Sequence, residues 1–390
     1  MSVTFPLGFR ASGVASGIKE SGALDLAVVA SETARLYSAA GTFTKNLAAA
    51  APVLLSKLHL ESTAGYVSAI LLSSGNANAA TGKKGDADAL SSASTLAGFL
   101  GAKPTEVLVA STGLIGIPLP IQRLIGGIPN VVESLGSDQE NGLIAAKALM
   151  TTDTFPKVAT FEIRGVRFGG IAKGAAMISP NMATMLAVVT TDSIASPETL
   201  STVLGKAVDE SFNRITIDGC TSTNDSVFVM ASGKSGIELS VDELQLGITM
   251  ICKDLAGQIV FDAEGATKVI FVDVTGAKNE ADALRVARKI AESSLVKCSF
   301  FGKDPYWGRV LSEVGSSGVD LDISKVSIAY GDEVVYQNLE ELAFDKGYVE
   351  NVMQDHEIHL VVDLGAGTSD ATIITADLTP AYIAENMRTS

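Results

Sequence analysis

Apolar residues recur along the chain with two spacings, which predict a mixture of strands and helices. A run at 158–171 predicts a hairpin that turns at Arg164-Gly165, and the order of elements across 269–301 predicts a βαβ unit. The pattern therefore indicates a mixed α/β chain. The predicted strands include 24–29, 66–72, 184–189, 269–274 and 295–301, and the predicted helices include 87–100, 121–135, 197–212, 241–259 and a helix around 283–291.

The composition indicates a protein with a packed core and argues against two classes of binding partner. Hydrophobic residues make up 47% and charged residues 19% of the 390 residues, as in globular proteins. This length favours more than one core, although no repeat or Pro- or Ser-rich linker marks a boundary. The formal net charge of -15 argues against binding to nucleic acid or to an anionic membrane surface, because both require a basic patch.

Three further features predict a cytoplasmic protein. Residues 1–8 have neither the basic start nor the apolar stretch of a secretory signal. The apolar run at 47–55 contains Pro52 and is much shorter than the roughly 20 residues that span a bilayer. The three cysteines, Cys220, Cys252 and Cys298, are odd in number and widely spaced, which is typical of reduced thiols.

Two glycine-rich segments do not complete a phosphate-binding pattern. The segment 75–83 has Ala77 where a phosphate loop needs glycine, and Lys84 follows where a hydroxyl residue is needed. The segment 365–370 leads into strand-like residues instead of a helix N-terminus, so it predicts a β-hairpin turn.

The histidines do not predict a metal site. His356 and His359 lie in an alternating pattern typical of a strand, where residues three apart point to opposite faces. With His59 they are the three histidines of the chain, and no GxSxG segment supplies a serine nucleophile. Trp307, in a turn that enters a helix, is interpreted as a packing anchor.

One long segment changes this picture. Residues 170–186, GIAKGAAMISPNMATML, resemble the self-cleavage segment of the ornithine acetyltransferase family. The resemblance covers nearly the whole chain, because further segments match the family in the same order. These are 8–14, 17–19, 73–79, 111–113, 151–154, Asp218, Asn224-Asp225, 264–268, the turn at Trp307 and 382–386.

The resemblance implies a self-cleaving enzyme whose nucleophile is Thr184. The cut would fall between Ala183 and Thr184 and give an α chain, 1–183, and a β chain, 184–390. Judged alone, a threonine in an apolar strand is an ordinary β-branched strand residue. After cleavage, the threonine's own α-amine would be its base, which suits a chain with few histidines.

The same resemblance implies the reaction and the roles of other residues. The acetyl group of N2-acetyl-L-ornithine would move to L-glutamate through an acetyl-threonine, in arginine biosynthesis. Thr112 and Gly113 would stabilise the oxyanion, Lys173 would hold the substrate carboxylate, and Glu264 would face a substrate amino group. No metal and no cofactor is implied, and acetyl-CoA remains open as a second donor. The implied substrate-binding residues are Thr151, Lys173, Thr184, Glu264, Asn386 and Ser390.

The implied fold is an αββα sandwich resembling the N-terminal-nucleophile hydrolases, with a smaller α/β lobe at about 280–380. The implied assembly is α2β2. Two positions depart from the family: Ala176 stands where glycine is usual, and the tail is one residue shorter, so Thr389 or Ser390 fills its last position. Two alternatives stay open, a same-fold amidohydrolase or aminopeptidase and an uncleaved amino-acid-binding relative.

Overall fold

The computed structural model describes residues 2–33, 35–179 and 185–387. By their contacts these residues form two compact units. The first unit comprises Met1–Asn213 and Cys220–Ile259, and the second comprises Arg214–Gly219 and Val260–Ser390.

The first unit contains two sheets and most of the helices. Its strands are β1 (Phe9–Val14), β2 (Leu26–Ser31), β3 (Tyr37–Phe43), β4 (Tyr66–Val67), β5 (Ala69–Asn76), β6 (Val107–Leu114), β7 (Lys157–Ile163), β8 (Val166–Lys173), β9 (Leu186–Thr191) and β10 (Ser226–Ala231). Its helices are α1 (Ala51–Ser62), α2 (Gly82–Leu100), α3 (Ile121–Glu133), α4 (Gln139–Leu149), α5 (Pro197–Asp209) and α6 (Val241–Phe261), the last of which ends in the second unit.

The two sheets of the first unit have the strand orders β1-β2-β5-β6 and β4-β3-β10-β9-β8-β7. In the first sheet β5 and β6 run parallel, so that Ser74 lies opposite Thr112 and Gly75 opposite Gly113. In the second sheet β9 is parallel to β10 and antiparallel to β8. The predicted site residues Thr112 and Gly113 lie near the end of β6, and Lys173 is the last residue of β8.

Alternate side chains of the first sheet face the second sheet and the helices, which gives the first unit its layers. In β6, Leu108 and Ala110 join a core cluster with Ile171 and Val188 of the second sheet, whereas Val107 and its neighbours on the other face pack against α2 and α3. Because successive side chains point to opposite faces, a strand buried on both faces is apolar throughout. Helices α5 and α6 cover the second sheet, so the layers are helix, sheet, sheet and helix. The predicted αββα sandwich is confirmed.

Helix α6 is long and apolar enough to cross a membrane by length and composition. Its apolar side chains pack against the second sheet instead: Ile251 and Leu255 lie over Gly170, and Gly247 lies against the ring of Phe168. A side chain at Gly170 would collide with both residues of the helix. These contacts identify α6 as a core helix of the first unit.

The second unit is a smaller α/β structure. Its strands are β11 (Val269–Ala277), β12 (Ser327–Tyr330), β13 (Glu333–Gln337), β14 (Glu340–Glu341), β15 (Glu357–Asp363) and β16 (Ser369–Ala376), in the sheet order β14-β13-β12-β15-β11-β16. Its helices are α7 (Glu280–Ala291), α8 (Ser294–Phe301), α9 (Trp307–Gly315), α10 (Lys346–Val352) and α11 (Pro380–Asn386). The apolar face of α7 packs on β11 and β16 and forms this unit's core.

The predicted strand at 295–301, and with it the βαβ unit, is wrong. These residues form helix α8, whose first turn is capped by Ser293 through a hydrogen bond from the Val296 amide. Val296 and Phe300, four residues apart, are both buried, whereas Leu295 is 62% exposed. In the sequence, the apolar residues of this run are too closely spaced to show a helical pattern. The Ser293 cap and the burial of Val296 and Phe300 identify the segment as a helix.

The hairpin predicted at 365–370 is also wrong. Strand β11 lies between β15 and β16 and pairs with both, in parallel with β15 and antiparallel with β16. The connection crosses the end of β11, where the Leu364 amide donates to the Thr275 carbonyl and the Ala366 amide to the Gly276 carbonyl. Similarly, the predicted strand 66–72 is two strands, β4 and β5, which belong to different sheets.

Candidate active site

Strand β6 ends at the predicted oxyanion residues. Thr112 is buried and, by alternation, lies on the face of Leu108 and Ala110, which points toward the second sheet. Gly113 has a φ of +128°, and a Cβ there would lie 2.4 Å from the carbonyl carbon of Gly75. Glycine is therefore required at this position.

Lys173 ends β8 and meets Thr112 between the two sheets. Lys173 is 3% exposed, and its Nζ donates to the Thr112 Oγ1 over 3.3 Å. A lysine ammonium can only donate, so the threonine oxygen is the acceptor and its hydroxyl proton is available to another oxygen. The pair can thus present one cation and one neutral donor to the same ligand.

Asp153 interacts with Lys173 and accepts hydrogen bonds from three neighbouring groups. Its Oδ1 accepts from the Lys157 Nζ at 2.6 Å and from the Gly174 amide at 2.8 Å, while its Oδ2 accepts from the amide of Thr151 at 2.9 Å. Burial raises the pKa of Asp153, but Lys173, Lys157 and the Gly174 N–H outweigh it and bring the pKa to about 2. The carboxylate is therefore ionised at neutral pH. Thr112, Asp153, Lys157 and Lys173 are called the lysine cluster below.

The segment before β10 connects the two sheets at this end. Asn224 Nδ2 donates to the carbonyl oxygens of Ala77 at 2.6 Å and Ser111 at 2.9 Å, and the next residue, Asp225, accepts from the Met185 amide at 3.1 Å. Ser111 directly precedes Thr112. The end of β6 and the residue that precedes β9 are therefore held by adjacent side chains.

Three predicted site residues, Ala183, Thr184 and Ser390, lie outside the described residues. Met185, which follows the predicted nucleophile, is buried and bound to Asp225 as above. Thr151, a predicted substrate-binding residue, is exposed, and its backbone amide joins it to Asp153. Within the first unit the structure thus brings together Thr112, Gly113, Thr151 and Lys173.

Glu264 and Asn386 contact each other within the second unit. The Asn386 Nδ2 donates to the Glu264 Oε2 over 2.8 Å and also to the Tyr382 carbonyl, one turn back in α11. The helix is held beside Glu264, because Thr379 Oγ1 donates to the Gly265 carbonyl at 2.6 Å. These two residues are called the Glu264–Asn386 pair below.

Two carboxylates of the site were given no role by sequence reasoning. Asp153 and Asp225 lie in segments that resemble the family, 151–154 and 224–225, but an aspartate is usually solvated, so its type alone gives no signal. Here both are buried, and both accept backbone N–H groups beside predicted site residues. Their position next to predicted site residues was the available clue.

The histidines and the tryptophan lie elsewhere. His359 is on β15, where its ring stacks on Phe271 and its Nδ1 lies 2.7 Å from the Asp273 Oδ2. Within 2–33, 35–179 and 185–387 no group of three His, Cys, Asp or Glu side chains is arranged to hold a metal ion. Trp307 stacks on Tyr336 with ring centroids 4.5 Å apart, a packing contact of the second unit's core.

The facing sheets and the lysine cluster define an α/β sandwich protein with a buried cationic site at the strand ends. The family model of the ArgJ family matches residues 10–389. An arginine biosynthesis bifunctional protein ArgJ from Thermobifida fusca is 43% identical over 99% of both chains, and one from Mycobacterium tuberculosis is 45% identical over 98% of this chain and 95% of its own. The chain belongs to the ArgJ family.

A solved relative adds a structural comparison. The crystal structure of arginine biosynthesis bifunctional protein ArgJ from Bacillus halodurans is 37% identical and has a TM-score of 0.50. The match covers 51% of this chain and 97% of the solved chain. That solved chain is therefore about half as long as this one.

Proposed function

We propose that this protein is a glutamate N-acetyltransferase that transfers the acetyl group of N2-acetyl-L-ornithine to L-glutamate, in arginine biosynthesis. The observation that carries the proposal is the contact of Lys173 with Thr112, buried between two sheets whose ends are joined by Asn224. It supplies a cation for a substrate carboxylate and a hydroxyl donor for an acyl oxyanion. Membership of the ArgJ family supports the same reaction.

The proposal includes self-cleavage between Ala183 and Thr184. The Thr184 hydroxyl would attack the Ala183 carbonyl, and water would hydrolyse the resulting ester and free the threonine amine. An α-amine has a pKa of about 7.7 to 8.0, so a substantial fraction is neutral near pH 7.5 and can act as the hydroxyl's base. The half-length solved chain of the Bacillus halodurans relative is consistent with such a cut.

In the transfer reaction, Thr184 takes the acetyl group and ornithine leaves. Glutamate then enters and its amine accepts the acetyl group. Each half passes through a tetrahedral oxyanion, for which one donor is typically worth about 3 to 4 kcal/mol. Thr112 fits this role because Lys173 already occupies its acceptor side.

The substrate contacts follow from charge. Ornithine and glutamate share an α-carboxylate, which Lys173 binds, and Thr151 lies beside the same cluster through Asp153. Glu264 faces the substrate amino group, supported by Asn386, which donates to it. Thr389 or Ser390 is assigned to substrate binding by the family resemblance alone. The reaction draws on no metal or bound cofactor, and acetyl-CoA is a second acetyl donor to the same threonine. The cleaved protein is an α2β2 assembly in the cytoplasm.

Intact mass and N-terminal sequencing of the purified protein test the cut. The expected result is two fragments, the second beginning Thr-Met-Leu-Ala, and an uncut Thr184→Ala variant. Acetyl transfer is then measured with acetylornithine or acetyl-CoA as donor and glutamate or water as acceptor. A single intact wild-type chain would favour a binding protein, and release of acetate without acetylglutamate would favour an amidohydrolase.

A further inference from the structure

Lys297 is a buried lysine of the second unit to which sequence reasoning gave no role. It lies on α8 and is 5% exposed. Its Nζ donates to the backbone carbonyl of Ile217 and, over 3.4 Å, to the Thr375 Oγ1. A lysine is almost never buried unless its charge is paired, so its partners indicate what the charge does.

The charges around Lys297 keep it protonated. Burial lowers the pKa of Lys297 to about 8, against the opposing effects of Asp218, Asp377, Glu292 and Cys298. The ammonium form therefore predominates at neutral pH. Two of these groups, Asp218 and Asp377, belong to the segments that hold the Glu264–Asn386 pair.

Asp218 binds helix α11. Its Oδ2 accepts from the Tyr382 hydroxyl at 3.2 Å, and the Tyr382 carbonyl in turn accepts from the Asn386 Nδ2 at 3.0 Å. Asp218 directly follows Ile217, whose carbonyl accepts from the Lys297 Nζ. The buried ammonium thus holds the two-residue segment 217–218 to which the helix is bound.

Asp377 holds the segment that carries Glu264. Its Oδ1 accepts from the backbone amide of Thr267 at 2.8 Å and from that of Lys268 at 3.0 Å. These amides are three and four residues after Glu264. Lys297 therefore interacts with one carboxylate that binds α11 and with another that binds the Glu264 segment.

We propose that Lys297 is a positioning residue for the Glu264–Asn386 pair, an inference that rests on the proposed function. Its Nζ holds the segment 217–218, this segment binds α11 through Tyr382, and α11 presents Asn386 to Glu264. A carboxylate that is oriented before the substrate arrives binds an amino group more tightly, because less freedom is lost on binding. Lys297 acts through these residues instead of contacting the substrate.

Lys268 offers a matched control in the same unit. It is 4% exposed, and its Nζ also donates to a backbone carbonyl, that of Asp355, at 2.9 Å. Burial lowers the pKa of Lys268 as well, and Lys268 also interacts with Asp377. The two lysines differ in that Lys297 is bonded to Ile217, beside the residue that binds α11. Comparing them isolates the effect of that bond from the effect of losing a buried ammonium.

The test is the steady-state kinetics of acetyl transfer by the purified full-length protein, with Lys297→Met and its control Lys268→Met. We expect Lys297→Met to raise the KM for acetylornithine about 3- to 30-fold, as for residues coupled in one hydrogen-bond network, with kcat within about threefold of wild type. Lys268→Met should leave this KM within about twofold. In a Glu264→Gln background, Lys297→Met should raise KM by less than about a further twofold, because the carboxylate that it orients is already gone.

A second measurement needs no activity. Amide hydrogen exchange in α11 should be faster in Lys297→Met than in wild type and Lys268→Met, because the helix loses its attachment. Unchanged exchange there would overturn the inference.

Two kinetic results would also overturn it. One is a KM increase from Lys297→Met that is as large with Glu264→Gln as without it. The other is an equal KM increase in both lysine variants, accompanied by equal drops in melting temperature. If wild type transfers no acetyl group, the proposed function fails, while hydrogen exchange still decides whether Lys297 holds α11, so the two failures are distinguishable.

Discussion

The lysine cluster and the Glu264–Asn386 pair have contrasting surroundings. The cluster contains the predicted oxyanion residue Thr112 and the predicted substrate-binding residue Lys173, and both members of the pair are predicted substrate-binding residues. Asp153 and Lys157 have fully buried side chains, and Lys173 is 3% exposed. Asn386 is exposed, and Glu264 is half-buried. Charges interact strongly where water is excluded and weakly where it is not. The cluster should therefore contribute to both folding and binding, whereas the pair should contribute to binding alone.

The largest expected effect is on stability, from Asp153→Asn. This substitution leaves the buried Lys157 ammonium without its counter-charge, and breaking such a pair typically costs about 3 to 5 kcal/mol. The matched control is Asp88→Asn, since the Lys84–Asp88 pair has the same 2.6 Å distance and i,i+4 spacing but Lys84 is 59% exposed. It should cost less than about 1 kcal/mol. Urea unfolding measures both, and equal losses would contradict the contrast drawn here.

Lys173→Met should give the next largest effect, in catalysis. A hydrogen bond to a charged group is worth about 1.5 to 3 kcal/mol, so the variant should lose about 10- to 150-fold in kcat/KM. Most of this loss should appear as a higher KM for glutamate, because the lysine is proposed to bind a carboxylate present in ground and transition states alike. Steady-state kinetics of acetyl transfer tests this. An unchanged KM with a lowered kcat would place the role of Lys173 on the oxyanion side, through Thr112.

The pH dependence of folding should sharpen the view of the cluster. The pKa of Asp153 is about 2 in the folded protein, below its unfolded value of about 3.9. A lowered folded pKa means that Asp153 contributes stability above about pH 4, and that this contribution, about 2 to 3 kcal/mol, is lost as the pH falls toward 2. Urea unfolding of wild type between pH 5 and pH 2 should show this loss. Asp153→Asn should decline less over the same range, and parallel declines would refute the assignment.

The elements that sequence predicts well here are those whose pattern is local. The hairpin at Arg164-Gly165 forms where predicted, since both residues take the positive φ of 49° and 79° that a tight turn between strands requires. The helix at 241–259 is confirmed within two residues of its end. Three predictions are wrong, those for 66–72, 295–301 and 365–370. The structure of each segment depends on the sheet or face against which it packs, and a short stretch of sequence does not contain that information.

The site divides in a similar way. Thr112, Gly113 and Lys173 were expected only through the family resemblance, and the structure shows why they belong together: alternation points both side chains of the Lys173–Thr112 contact between the sheets. The roles of Asp153 and Asp225 depend on burial and on distant backbone N–H groups. Neither property can be read from aspartate in a sequence, because most aspartates are solvated.

The smallest expected effect is that of Asn386→Ala, which removes the 2.8 Å hydrogen bond to Glu264. An exposed hydrogen bond contributes little to folding, so the free energy of unfolding should change by less than about 0.5 kcal/mol. Glu264 would lose the donor that orients it, and the KM for acetylornithine should rise about 3- to 10-fold, or roughly 1 kcal/mol. The control Asn213→Ala removes an exposed bond of the same 2.8 Å length, to Asp209, outside the proposed site. It should leave KM unchanged, so a KM increase in both variants would mean that surface asparagines act on activity through something other than Glu264.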